Sequence, residues 1–398
     1  MSTPSSNNAL AVYLGVVQFF FATTWTLYVI YLPQLAQQAG ISKAWVPWIL
    51  VADQVVFALM DVATGFWVDR MRRGLVRFGA WILAVTAVSC AAFLFLPFTG
   101  ERAGLLLAAI LVWAATSSAL RSPPWALLAR HAAPPSLPWL AALVLTGSAL
   151  AAAAAPYLGI ALRGVDPRVP FIVSTITLLA TVGGLVYAER RIPAVDAPIS
   201  EPPKNAASQY ILFFAALLIM AGGFQIHFSI NSAPRYLRFA AQGELPYLMP
   251  VFWVGFNVLM FPAGLLVKRL GAAHTMAIAA ALGAIAALTA ALAPQLNALV
   301  AAQFVAGGCW GAASVAAYTT AIGFGRTGRE GRFLGTLFAV LAIAAFARIA
   351  AIASDLVMEP GFKALLPWLP MSAWLLAALL LLAAGLRAAG SGLARATP

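Results

Sequence analysis

Residues 65–73 read Gly-Phe-Trp-Val-Asp-Arg-Met-Arg-Arg and form the densest cluster of charge in the chain. They end a long apolar run that is predicted to be helical, so Asp69 lies at the C-terminal end of a helix. The helix dipole disfavours an anion there, and we therefore expect cationic neighbours such as Arg70 and Arg73 around Asp69. Gly65 has no side chain, which allows another helix to approach closely.

A near-copy of this stretch begins at Gly264, where residues 264–271 read Gly-Leu-Leu-Val-Lys-Arg-Leu-Gly. In both copies a glycine is followed by a charged residue and an arginine, so that Gly264 and Arg269 correspond to Gly65 and Arg70. The offset of 199 residues is half of the 398-residue chain. An internal repeat of this length predicts two related halves.

The composition is that of a membrane protein. Hydrophobic residues make up 63% of the chain and charged residues 9%, and the mean hydropathy is +0.91. A soluble domain carries about 25% charged residues. The net charge of +12 is explained by basic loops on one side of a membrane, so we expect no nucleic-acid partner. The two cysteines, Cys90 and Cys309, lie in separate apolar runs and are expected to be buried rather than paired.

Twelve apolar runs are long enough to span a bilayer. We expect an all-α membrane protein with six helices in residues 1–188, a cytoplasmic linker at 189–208, and six helices in residues 209–398. The linker is predicted from its four prolines and its polarity. The predicted spans are 10–32, 45–68, 75–97, 103–129, 137–162, 169–188, 209–233, 246–267, 272–293, 297–324, 333–356 and 365–386.

Basic residues set the orientation. If both termini are inside, fifteen of the 24 Lys and Arg residues lie in inner segments and seven in outer segments. This bias favours a multi-pass protein with cytoplasmic N- and C-termini, and we expect it in a bacterial inner membrane, most simply as a monomer.

Charged residues within the spans are costly and mark functional positions by default. Asp61 in the second span and Arg121 in the fourth lie at matching depths on the inner side of the membrane centre. We therefore expect them to form a buried ion pair. A purely structural pair that never moves is the alternative.

A second group of residues is predicted to line a central cavity. His227 lies after Gly222-Gly223 in a part of the seventh span that these glycines loosen. The alternatives are a core histidine for His227 and a helix-capping role for Arg348. The candidate cavity residues are His227, Gln225, Asn231, Arg348, Trp25 and Asp53.

The glycine-aspartate-arginine stretch resembles the signature between helices 2 and 3 of the major facilitator superfamily. The resemblance implies two six-helix bundles that rock about a central site, and it implies a cytoplasmic gate. We expect this gate to include Gly65, Asp69, Arg70, Arg73, Gly264 and Arg269.

A narrower resemblance connects residues 121–127, Arg-Ser-Pro-Pro-Trp-Ala-Leu, to the cation-coupled sugar symporters of the melibiose permease type. Residues 40–42 and 327–331 are also similar to that family. However, Arg121 stands where the family has a cation-binding aspartate, and Phe57 and Phe21 replace two further carboxylates. These departures predict that a sodium site is lost and favour coupling to protons through Asp61.

We therefore predict a secondary active transporter of a small organic solute, coupled to protons and without cofactors. A lipid flippase and a non-transporting assembly factor or sensor on the same fold are the alternatives. The sequence contains no phosphate-binding loop and no metal-ligand spacing, so we expect neither an enzyme nor a metal site.

Overall fold

The structure is a computed structural model that describes residues 4–71, 78–191 and 206–390. Regular secondary structure in these ranges is helical, without a strand. Twelve long helices, numbered α1 to α12 along the chain, make up the fold. They are α1 Pro4–Gln38, α2 Val46–Met71, α3 Phe78–Phe95, α4a Ala103–Ser117 with α4b Ser122–His131, α5 Leu137–Ala161, α6 Arg168–Arg191, α7a Ala206–Phe224 with α7b Ser232–Tyr236, α8 Pro250–Leu270, α9 Ala272–Leu292, α10 Leu296–Gly325, α11 Glu330–Ala353 and α12 Leu369–Gly390.

Within the described ranges, eleven helical segments are long and apolar enough to cross a membrane, and α12 adds a shorter apolar stretch at Leu369–Ala383. In the N-terminal half, α1 packs on α5 and α6, and α3 packs on α4a and α6. In the C-terminal half, α10 packs on α8 and α9, while α12 packs on α7a and α9. The prediction of twelve helices in two six-helix bundles is confirmed. The predicted linker lies largely outside the described residues, because 192–205 are not described.

Helices pack closely where glycines remove side chains from the contact, which is how membrane helices gain van der Waals contact without a hydrophobic driving force. A Cβ atom on Gly147 of α5 would lie 1.7 Å from the carbonyl oxygen of Gly15 on α1. Cys90 and Cys309 are buried and unpaired.

The fourth span, predicted over 103–129, is present as Ala103–His131, but its helix is not continuous. The helix breaks at Arg121, whose backbone lies outside the helical region (φ −92°, ψ −84°). Pro123 and Pro124 follow the break, and proline supplies no backbone N–H for the preceding helical turn. The break leaves Arg121 between α4a and α4b.

The seventh span is loosened as predicted, but the irregularity lies just beyond Gly222-Gly223. Residues Gln225–Asn231 form a π-helix between α7a and α7b. Such wide turns are rare and are often found at functional sites.

The two bundles meet mainly along two antiparallel pairs of helices. Helix α2 packs along α11, and α5 packs along α8. The signature stretch of the sequence lies at the end of the first pair.

Candidate functional site: a central cavity and its gate

Helices α2 and α11 cross at backbone contact. A Cβ on Gly65 would lie 2.3 Å from the carbonyl oxygen of Gly331, and a Cβ on Gly335 would lie 2.3 Å from that of Asp61. Only glycine fits at these positions while the two backbones keep this distance. The crossing therefore closes the space between the bundles at the Asp69 end of α2.

The carboxylate of Asp69 caps the N-terminus of α11. Its Oδ1 accepts a hydrogen bond from the backbone N–H of Gly331 (2.7 Å), and its Oδ2 accepts one from the N–H of Arg332 (3.2 Å). The guanidinium of Arg332 also pairs with Oδ2, at 3.2 Å from Nε. A helix N-terminus is a natural anion site, so three favourable interactions hold one buried carboxylate across the two halves.

Of the two predicted cationic neighbours of Asp69, only Arg70 lies among the described residues. Arg70 is exposed and lines a cleft of about 340 Å³ together with Asp69, Arg329 and Arg332. Arg73 lies outside the described residues, so its place beside Asp69 stays a prediction. Within the described residues Asp69 also pairs with Arg332, whose guanidinium stacks on Phe66 at 4.5 Å from the ring centroid.

The second copy of the signature, at Gly264, packs less closely against its neighbouring helix than the first copy does. A Cβ on Gly264 would lie no closer than 3.8 Å to the backbone of Pro138 on α5, which is ordinary contact. Arg269 is exposed in the last turn of α8. The sequence analysis did not identify Gly331, Gly335 and Arg332 as residues of the α2–α11 contact, although a glycine pair four residues apart in an apolar helix is a known signal for close packing.

A cavity of about 380 Å³ lies between the bundles, and residues of both halves line it. Its walls are largely aromatic and aliphatic, with a few amides, hydroxyls and two arginines. The residues of the cavity wall are Gln18, Phe21, Ala22, Trp25, Gln54, Phe57, Trp113, Ser117, Arg121, Trp125, Leu145, Ser148, Gln225, Tyr318, Phe338, Leu341, Ala342, Ala345, Arg348 and Ile349.

At one end of the cavity, Arg121 pairs with Asp61. The Nε of Arg121 lies 3.1 Å from Oδ2 of Asp61, and the Asp61 side chain is fully buried. The distance is that of an ion pair, but the geometry is not that of a hydrogen bond, and both carboxylate oxygens lack a hydrogen-bond partner. The structure thus brings together the two residues that matched in depth, and their role in coupling stays a prediction.

Arg121 also touches the other bundle. Its guanidinium donates a long hydrogen bond to the carbonyl of Phe338 on α11 (3.4 Å) and lies over the rings of Phe57 and Phe338. Nearby, Trp125 of α4b stacks on Tyr318 of α10, with ring centroids 4.0 Å apart. The ion pair is therefore part of the contact between the two halves.

Three of the predicted cavity residues line the cavity: Trp25, Gln225 and Arg348. The ring of Trp25 stacks on Trp113 at 5.8 Å and meets Phe57 edge-on at 5.3 Å. Gln225 begins the π-helix and reaches the cavity from the C-terminal bundle.

The other three candidates do not line this cavity, and each side chain has a hydrogen bond within its own bundle. His227 is fully buried, and its Nε2 donates to Oε1 of Gln303 (3.1 Å). Asn231 donates to the carbonyl of Leu366 (2.6 Å), and Asp53 accepts a hydrogen bond from the hydroxyl of Tyr28 (2.6 Å).

No group of three or more His, Cys, Asp or Glu side chains among the described residues is arranged to hold a metal ion.

Comparison with known proteins gives a family match over most of the chain. The model of the Major Facilitator Superfamily matches residues 14–347. No curated protein matches the chain by sequence.

Similar solved structures include transporters with different cargoes. The human organic anion transporter MFSD10 (TETRAN) is 17% identical, with a TM-score of 0.72 over 95% of this chain and 100% of that one. A variant of the E. coli fucose:proton symporter FucP is 14% identical, with a TM-score of 0.70 over 95% and 99%. A bacterial homologue of the iron transporter ferroportin, in an outward-facing state, is 14% identical, with a TM-score of 0.71 over 95% and 100%. At sequence identities this low, the similarity shows only that the fold is shared.

Proposed function

Because the chain belongs to the major facilitator superfamily, we propose that it is a secondary active transporter that moves a small organic solute by alternating access and is coupled to protons. The observation that carries the proposal is a cavity of about 380 Å³ between the bundles, with the Asp61–Arg121 pair at one end. Pockets of this kind, mostly apolar with a few polar groups, are typical of small-molecule sites.

The moving units are the two halves, residues 1–188 and 209–398, joined by the linker at 189–208. The positive-inside bias of the sequence supports cytoplasmic termini in a bacterial inner membrane. With that orientation the Asp69 end is cytoplasmic. The contact of Asp69 with Gly331 and Arg332 then locks the cytoplasmic side while the cavity serves the outside.

Proton coupling is supported by the location of Asp61. Its carbonyl oxygen faces Gly335 at the tight crossing, and its carboxylate faces Arg121, which itself contacts Phe338. Protonation of Asp61 removes the charge that holds Arg121. Both partners of the pair touch α11, so this change acts directly on the contact between the halves and biases the equilibrium between the two open states.

The test is transport by the purified protein in liposomes, with a solute selected because it raises the unfolding temperature of the protein. We expect an inward proton gradient to drive accumulation and a sodium gradient at equal pH to have no effect. Accumulation that requires sodium would contradict the proposed coupling.

The same vesicles separate the two alternatives. A flippase would accelerate the exchange of fluorescent lipids between leaflets, measured by dithionite quenching. An assembly factor or sensor would support neither solute flux nor lipid exchange.

A further inference from the structure

We infer that the transported solute is an organic anion whose charged group binds Arg348 and whose apolar body lies against the aromatic wall around Trp25. This inference rests on the proposed function, since it assigns the substrate class of the same cavity.

Arg348 is a cation without an ion-pair partner among the described residues. It lies in α11, within the membrane-spanning segment Glu330–Ala353, and its side chain lines the cavity. Its Nε is buried without a hydrogen bond, and among the described residues no carboxylate pairs with it. A charge in a membrane span is costly unless it is paired or serves a binding site.

The charge balance of the cavity points to an anionic ligand. Two arginines line the cavity, and no acidic residue among the described ones does so. Arg121 is neutralised by Asp61, which is fully buried behind it. Asp53 is bound by Tyr28 and does not reach the cavity. The positive charge of Arg348 is therefore left for a ligand to neutralise.

The rest of the wall fits an apolar body. Phe21, Trp25, Phe57 and Trp113 form an aromatic side, and Leu341 and Ile349 add aliphatic surface. Flat apolar groups pack well against such rings. The amide of Gln225, which also lines the cavity, offers a further hydrogen-bond donor.

The anion site is distinct from the coupling pair. Arg348 lies ten residues beyond Phe338, the residue that Arg121 contacts, which is about 15 Å along α11. A substitution at Arg348 can therefore change ligand selectivity while the Asp61–Arg121 pair stays intact.

The experiment uses the full chain purified in detergent and a panel of aryl carboxylates, such as naphthalene-2-carboxylate, each paired with its neutral carboxamide. Binding is measured by calorimetry and by thermal stabilisation. We expect the wild type to bind at least one carboxylate at least about tenfold more tightly than its carboxamide, which corresponds to about 1.4 kcal/mol.

Variants at Arg348 test the assignment. Arg348→Gln should bind the two members of that pair equally, and its retained affinity for the carboxamide shows that the cavity is intact. Arg348→Lys should keep part of the preference. The matched control is Arg238→Gln, which removes an exposed arginine outside the cavity and should keep all of it.

Three results would overturn the inference: no carboxylate binds, carboxylate and carboxamide bind the wild type equally, or Arg348→Gln keeps the preference. These outcomes are separate from a failure of the proposed function. Flux of a neutral solute without anion binding would retain the transporter and reject the anion site. Selective anion binding without flux in liposomes would support the anion site and reject the transporter.

Discussion

The glycine crossing between α2 and α11 can be tested by adding a single methyl group. In Gly335→Ala the new Cβ would lie 2.3 Å from the carbonyl oxygen of Asp61, whereas ordinary contact begins near 3.4 Å. The obstacle is backbone, so no rotamer change relieves it, and the helices must separate by about 1.1 Å. Overpacking of this kind costs about 1–3 kcal/mol. That cost falls on the closed state, so the ratio of closed to open molecules should drop by roughly 5- to 150-fold.

The assay reports how often the Asp69 end is open. Cys90 and Cys309 are replaced by alanine, and the cavity residue Ser148 is changed to cysteine. A membrane-impermeant maleimide is then applied to vesicles of each orientation. We expect Gly335→Ala to raise the labelling rate from the Asp69 side by the same factor by which the ratio of closed to open molecules drops.

Gly323→Ala is the matched control, because its Cβ would have no neighbour within 4 Å. It should label like the parent protein. If Gly335→Ala also labels like the parent from both sides, the close crossing does not hold the gate shut and the reasoning is refuted.

Three further outcomes follow from the contacts described. Asp69→Asn should lower transport sharply while membrane insertion stays normal. A neutral amide cannot form an ion pair with the guanidinium of Arg332, and it accepts the hydrogen bonds from the backbone N–H groups of Gly331 and Arg332 less strongly. Wild-type flux from a well-inserted variant would argue against the lock. His227→Ala should destabilise the protein by about 1–3 kcal/mol, because Gln303 loses a buried partner, but should leave the affinity for the solute unchanged when titrated by calorimetry. Gly264→Ala should transport normally and label like the parent protein, since a methyl group fits there; faster labelling, as expected for Gly335→Ala, would show that the two halves are gated alike.

The sequence predicts features that depend on local physics. It also identifies residues whose charge is energetically costly within a membrane span. Apolar runs of spanning length predict the helices, because the bilayer requires them. Charges within those runs are rare, so Asp61 and Arg121 were conspicuous, and their depths follow from the rise of a helix. The glycine at position 65 predicted a close contact.

What the sequence could not predict is which helix supplies the partner. Asp69 needed a cation, and nearness along the chain favoured Arg73. Among the described residues, which do not include Arg73, the cation paired with Asp69 is Arg332 on α11, brought there by the packing of the two bundles. Only the three-dimensional arrangement could reveal a contact between residues this far apart in sequence.

A similar reason explains why some of the predicted cavity residues do not line the cavity. His227 and Asn231 are polar groups in an apolar helix, and the sequence alone does not distinguish a cavity position from a bonded core position. Nε2 of His227 bonds to Gln303 and the amide of Asn231 donates to the carbonyl of Leu366, and both partners come from distant segments. Arg348 has no such partner among the described residues, and its side chain lines the cavity.

The central claim is that the Asp61–Arg121 pair carries the coupling rather than only the fold. Asp61→Asn strands Arg121, and Arg121→Gln strands Asp61; either single change should destabilise the protein by about 3–5 kcal/mol. The double variant leaves no lone charge, so part of the stability should return.

The decisive measurement is accumulation of solute against its gradient by the Asp61→Asn/Arg121→Gln protein in liposomes with an imposed proton gradient. We predict that this variant is stable enough to reconstitute and still equilibrates the solute downhill, but that the proton gradient drives no accumulation. Uphill accumulation equal to that of the wild type would contradict the account, because the proton would then be carried elsewhere and the pair would be structural.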